Sequence, residues 1–79
     1  MDYVIAILNE IRPGQDFAGA EDFFDQGVLD SLDLTALVAA LESRYDVFVD
    51  VDEMVADNFR NVASIKAILA KHGVPAGRL

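Results

Sequence analysis

Gly27-Val28-Leu29-Asp30-Ser31-Leu32, running on into an amphipathic stretch that ends at Tyr45, decides how this chain folds. Leu34, Leu37, Val38, Leu41 and Tyr45 recur at intervals of three and four, the spacing of a single helix face. Leu32, Thr35, Ala39 and Glu42 fall on the other side. Asp30 and Ser31 are both preferred helix caps, because their side-chain oxygens accept hydrogen bonds from the unpaired N–H groups of a first turn. Asp33 would sit near the positive end of the helix dipole. The pattern predicts a helix that starts at Asp30 or Ser31, with the serine hydroxyl projecting off its end. A bulky group attached there would leave the packed face undisturbed.

Outward from this helix, the remaining punctuation is equally regular. Asp2 can cap a first helix in which Val4, Ile5, Leu8 and Ile11 recur at helical spacing, and Pro13-Gly14 ends it. A turn or so of helix is expected from Asp52 to about Asp57. Asn61 then caps a last helix carrying Val62, Ile65, Ile68 and Leu69, stopped by Gly73 and Pro75. The link from Gly14 to Asp30 is long for a compact domain, and Phe17, Phe23, Phe24 and Leu29 are the residues expected to pin it to the core. The chain reads as all-α, with three main helices, a short third helix and a long loop between helices one and two. Leu37 and Leu41 are the expected centre of the core, and Leu32 the apolar residue expected outside.

In order and content, the stretch from about Phe23 to Ile68 resembles the acyl and peptidyl carrier proteins. Phe23 to Ser31 is similar to that family's approach loop, with an aromatic anchor, a glycine and an apolar residue ahead of Asp-Ser. Leu37 to Val47 resembles the family's second helix and its exit, and Val49 to Met54 the short segment before helix three. Two positions depart from the usual pattern. Ala36 stands where many fatty-acid carriers have an acid five residues after the serine, and Asp50 replaces the usual proline or similar turn residue. The Glu42-Ser43-Arg44-Tyr45-Asp46 and Asp57-Asn58-Phe59-Arg60-Asn61 stretches look closer to the D-alanyl and peptidyl carriers.

This resemblance implies a four-helix bundle of the carrier type spanning 1–79 as one domain, and a non-enzymatic role. Ser31 would carry 4′-phosphopantetheine, transferred from coenzyme A by a phosphopantetheinyl transferase, and the thiol of the arm would hold acyl or aminoacyl cargo as a thioester. Implied partners are that transferase, an acyl- or aminoacyl-activating ligase or synthase, and downstream acyl transferases. Asp30, Leu32, Asp33, Ala36, Ala39, Glu42 and Met54 would face them, with Met54 as readily assigned to the core. The cargo itself is not legible in the residues.

Composition agrees. At 79 residues with no cysteine, the chain has neither a disulfide framework nor a thiolate metal site to support its core. The formal net charge is −8, with eleven acids against Arg44 alone between Glu21 and Asp57. A surface of that sign repels phosphate backbones and anionic headgroups, which disfavours nucleic acid and membrane as partners and favours basic proteins. No apolar run reaches the ~18 residues of a membrane span, and the amino terminus lacks a signal-peptide pattern. A cytoplasmic, free-standing monomer is expected.

Other chemistries fit less well. Nucleophilic catalysis at Ser31 needs a base and an orienting acid, and the one histidine, His72, falls near the end of the last helix. No Gly-x-Ser-x-Gly elbow occurs. Asp46, Asp50, Asp52 and Glu53 lack the central glycine and terminal glutamate of a calcium loop, so no metal site is expected. Gly14, Gly19 and Gly27 form no phosphate-cradling pattern. The alternative to a carrier is an unmodified acidic helical module that binds a basic partner through Asp30, Asp33, Glu42 and Asp46.

Overall fold

Helix α1 (Tyr3–Ile11) and helix α2 (Ser31–Tyr45) are joined by the long loop in a computed structural model that describes residues 2–79. A 3₁₀ turn over Val51–Glu53, helix α3 (Ala56–Phe59), helix α4 (Val62–Lys71) and a second 3₁₀ turn over Ala76–Arg78 complete the chain. The described residues contain no strand. Each main helix opens on a side chain that accepts a bond from its first turn: Asp2 from the N–H of Ile5 at 3.0 Å, Asp30 from Asp33 at 2.9 Å and Asn61 from Ser64 at 2.7 Å. Asp2 also receives Lys66 Nζ of α4 at 2.7 Å. Burial raises the pKa of that carboxyl, but the Lys66 ammonium and the Ile5 N–H together outweigh it and hold it below the ordinary range.

One core fills the space between the helices. Val4, Ile7 and Leu8 of α1 meet Leu37, Val38, Leu41 and Tyr45 of α2 and Ile65, Ile68 and Leu69 of α4, all buried. The inward stripe of α1 keeps Val4 and Leu8 of the expected one but takes Ile7 in place of Ile5: Ile7 is buried, whereas Ile5 and Ile11 are half-buried, as is Leu34 of α2. Alternation at 3.6 residues leaves such boundary positions undecided until a neighbouring helix is in place.

The loop between α1 and α2 carries its own part of the core. Phe17, Phe23 and Leu29 are buried and Phe24 is half-buried. Phe17 and Phe23 meet edge to face, centroids 5.4 Å apart and planes at 88°. The Phe23 carbonyl accepts from both Val28 and Leu29 N–H, at 2.8 and 3.0 Å, and its own N–H donates to Arg60 O at 2.6 Å. These bonds fix the residues that lead into Ser31.

Where a turn of helix was expected from Asp52 to Asp57, two shorter elements stand instead. Asp50 and Glu53 close the 3₁₀ turn: Glu53 Oε1 accepts from Asp50 N–H at 3.1 Å, and Asp50 Oδ1 accepts from Asp52 N–H at 3.4 Å. Helix α3 begins only at Ala56, and Phe59 locks it into the core at 0% exposure. Capping and one buried aromatic, rather than periodicity, set these boundaries.

A pair of leucines on one helix tests this arrangement. Leu41→Ala, at a fully buried position, is expected to lower stability by about 2–5 kcal/mol. Leu32→Ala, at 81% exposure, should change it by less than about 0.5 kcal/mol. Urea unfolding of the two variants gives both numbers.

Candidate functional site

At the start of α2, Ser31 is exposed and is the first residue inside the helix, not its cap. Asp30 takes the cap position with extended backbone, φ −124° and ψ −173°. Its Oδ1 accepts from Asp33 N–H at 2.9 Å, and Asp33 Oδ2 accepts in return from Asp30 N–H at 3.1 Å. In this reciprocal cap, two of the donors that open the helix are satisfied by acids on either side of the serine. Ser31 contributes its carbonyl, which accepts from Thr35 Oγ1 at 3.2 Å. Its hydroxyl is therefore not needed for capping and stands at the helix end, open to solvent.

A cation closes the arrangement from α1. Arg12 Nη2 donates to Asp33 Oδ2 at 2.5 Å and lies 3.7 Å from Asp30 Oδ2. Partial burial pushes the Asp33 carboxyl up, yet the Asp30 N–H and the Arg12 guanidinium overcome this and hold its pKa below the usual aspartate range. Asp33 is thus kept ionised and kept in place. Its side chain is only 16% exposed, so it braces the helix start more than it faces outward.

The other expected site residues divide by exposure. Asp30, Leu32, Ala36 and Ala39 are exposed along the open side of α2. Glu42 is half-buried, and its Oε2 accepts from Val49 N–H at 3.0 Å, which ties the chain after α2 to the helix. Met54 is half-buried and packs against the core. His72 is engaged away from Ser31: its Nε2 lies 2.9 and 3.1 Å from the two Glu53 oxygens. The bond from Asp50 N–H, then the imidazole, lower the Glu53 pKa. Among the described residues no three side chains of ligand type gather to hold a metal ion.

Two features were not singled out from the sequence. The Arg12 bridge spans 21 positions and has no local signature. Phe48, Val51 and Val55 are exposed at 75, 77 and 47%. An available signal for Phe48 was the alternation in Val47-Phe48-Val49, where an extended backbone sends neighbours to opposite sides; Val49 is buried and Phe48 is not.

An exposed serine hydroxyl, relieved of capping and held at a fixed helix end, fits a covalent attachment point. The family model for the phosphopantetheine attachment site matches residues 2–69. The chain belongs to this family. Its members' prosthetic group is covalent 4′-phosphopantetheine, and residues 2–69 include α1, α2, α3 and most of α4. Among curated proteins, the chain is 44% identical over 45 residues to a D-alanyl carrier protein of Streptococcus thermophilus, 57% of each chain. It is 42% identical over 45 residues to proteins of the same name from Streptococcus sanguinis and Streptococcus pyogenes, again 57% of each. The match thus spans little more than half the length of these relatives. No solved structure matches.

The brace around the start of α2 has a pH signature. A carboxylate with a lowered pKa adds stability above its unfolded value, about 3.9 for aspartate, and that contribution disappears as the pH falls through the folded value. Asp33→Asn should therefore melt below the parent protein at neutral pH, and the gap should close as the pH drops below about 4. Thermal melts of both proteins between pH 7 and 3, read by circular dichroism, check this.

Proposed function

We propose that this protein is an acyl or aminoacyl carrier whose 4′-phosphopantetheine arm is attached to Ser31, and that residues 1–79 act as one carrier domain. The observation that carries the reading is the exposed hydroxyl of Ser31, free of capping duty because Asp30 and Asp33 bond to one another's backbone. The arm, once bound, supplies a terminal thiol that forms thioesters. The names of the relatives favour an aminoacyl cargo, D-alanine, over a fatty acyl chain, and Ala36 in place of an acid points the same way.

Each residue of the site has a part in this reading. Ser31 Oγ forms the phosphodiester. The positive end of α2, a helix of 15 residues, favours the negative charge added there. Asp30 and Asp33 hold the first turn, and Arg12 offsets part of their charge, so a further anion is tolerated. Leu32, at 81% exposure, offers an apolar contact beside the attachment point, with Ala36 and Ala39 as a shallow floor along the same side. Partners of this surface would be the phosphopantetheinyl transferase, a ligase that activates the amino acid, and an acyl transferase that removes it. A net charge of −8 steers basic enzymes toward it while keeping contacts brief. We take the protein to work as a cytoplasmic monomer; no helix among the described residues is long and apolar enough to cross a membrane.

Incubation of the apo-protein with coenzyme A, magnesium and a broad-specificity phosphopantetheinyl transferase should add the mass of one arm. Ser31→Ala should abolish the addition. Because Asp30 caps the helix, the same variant should keep its stability to within about 0.5 kcal/mol, whereas losing a true cap would cost about 1 kcal/mol. Intact-mass spectrometry and a melt of each protein read both outcomes, and an unmodified wild-type chain would overturn the reading.

A further inference from the structure

Asn61 reads in the sequence as the cap of α4, and its Oδ1 does accept from Ser64 N–H at 2.7 Å. Asp or Ser at that position would cap as well. What the amide adds is a donor on the same side chain, and Nδ2 donates to Glu21 O at 3.0 Å, across 40 positions of chain. Asn61 thus holds α4 with one atom and the loop between α1 and α2 with the other.

The bond to Glu21 is the first link of a relay that ends at Ser31. Glu21 and Asp22 N–H both donate to Gln26 Oε1, at 2.9 and 3.0 Å, which closes the loop on itself. Phe23 N–H donates to the carbonyl of Arg60, the residue before Asn61, at 2.6 Å. The junction of α3 and α4 therefore grips the loop through an acceptor and a donor together. The Phe23 carbonyl then takes the Val28 and Leu29 N–H groups, at 2.8 and 3.0 Å. Gly27, at φ 73°, supplies the turn that brings those two back. Leu29 is followed at once by the Asp30 cap and by Ser31.

Burial alone does not set this path. Phe17, Phe23 and Leu29 are buried, but Glu21, Asp25, Gln26 and Gly27 are exposed. Apolar contact is non-directional, whereas hydrogen bonds require a narrow range of distance and angle. Arg12 braces the start of α2 from α1. Asn61 is its counterpart from α4, working through the loop.

We propose that Asn61 is a positioning residue for the attachment reaction at Ser31, acting through the backbone of Glu21 and Phe23 and touching neither the arm nor the transferase. This inference rests on the carrier reading. In that reaction Ser31 Oγ bonds to the phosphorus on the pantetheine side of coenzyme A. The pyrophosphate P–O bond breaks, adenosine 3′,5′-bisphosphate leaves, and the serine proton passes to a base on the transferase. A nucleophile held slightly out of line reacts slowly even when its protein is bound as well as before. Loss of the Nδ2 donor therefore shows in kcat, since Leu32, Ala36 and Ala39 on the open side of α2 are unchanged.

Asn61→Asp and Asn61→Ser keep the cap acceptor and remove the donor, whereas Asn61→Ala removes both. One hydrogen bond is worth about fivefold in a local equilibrium. In the Asp and Ser variants, hydrogen exchange read by NMR should show protection of the Val28 and Leu29 amides down about fivefold, with the Leu41 and Ile65 amides and the melting temperature close to wild type. With a purified broad-specificity phosphopantetheinyl transferase and coenzyme A, the apo-forms of both should lose about fivefold in kcat, with KM for the protein within about twofold. Ile68→Val, which lowers overall stability without touching the loop, should leave kcat within about twofold. Asn61→Ala should match the Asp variant in kcat and melt lower. Wild-type kcat in both the Asp and Ser variants overturns the inference and leaves Asn61 a cap. A rise in KM at unchanged kcat overturns it in favour of a direct contact with the transferase. An equal loss of kcat in Ile68→Val overturns it in favour of general stability. A wild-type chain that accepts no arm overturns the carrier reading, and this inference with it.

Discussion

The site depends on a reciprocal pair of hydrogen bonds. Asp30 and Asp33 each accept from the other's backbone N–H, and Arg12 reaches across from the end of α1 to hold both carboxylates. A helix start needs acceptors for its first donors, and a serine could supply one. Here the acids do it, so the serine between them has no structural duty and its oxygen is available for chemistry. The same three side chains join α1 to α2 at the Ser31 end of the bundle, so the position and stability of that end come from one set of contacts.

Burial supplies the rest. With no cysteine, 79 residues must hold together through packing, and 16 apolar side chains are buried, with no buried polar or charged residue among those described. The loop between α1 and α2 adds Phe17, Phe23 and Leu29 to that set. It behaves as a folded element, since its Phe23 backbone bonds both to the approach to α2 and to the end of α3. Ser31 is therefore held from two directions, by helix and by loop, while its side chain remains outside.

Much of this was readable in advance, and the exceptions have physical causes. Local rules placed Asp2, Asn61 and the α2 start, because capping is a matter of three neighbouring residues. Helical spacing found Leu37, Val38, Leu41, Ile65 and Leu69, but chose Ile5 over Ile7, a position that tertiary packing decides. The region after α2 departs from the single turn of helix its pattern predicts, since its boundaries depend on the Asp50–Glu53 cap and on Phe59 entering the core. Glu42 and Asp33 were expected to face partners and instead bond inward, to Val49 N–H and to Arg12. Long-range ion pairs and side-chain-to-backbone bonds of this sort leave no local mark in a sequence. Exposure of Phe48 belongs to the same class, being settled by the register of an extended strip against its neighbours.

Both ends of the described chain gather at the opposite pole. Tyr3 N–H donates to Leu79 O at 3.0 Å, Tyr45 Oη donates to Arg78 O at 2.8 Å, and the Arg44 guanidinium stacks 4.6 Å from the Tyr3 ring. Helix α2 separates that pole from Ser31 by about 22 Å. Immobilised on a bead, a sensor chip or a neighbouring domain through either terminus, the bundle would present its serine outward, like a bulb on its stem. Orientation is thus built into the connectivity.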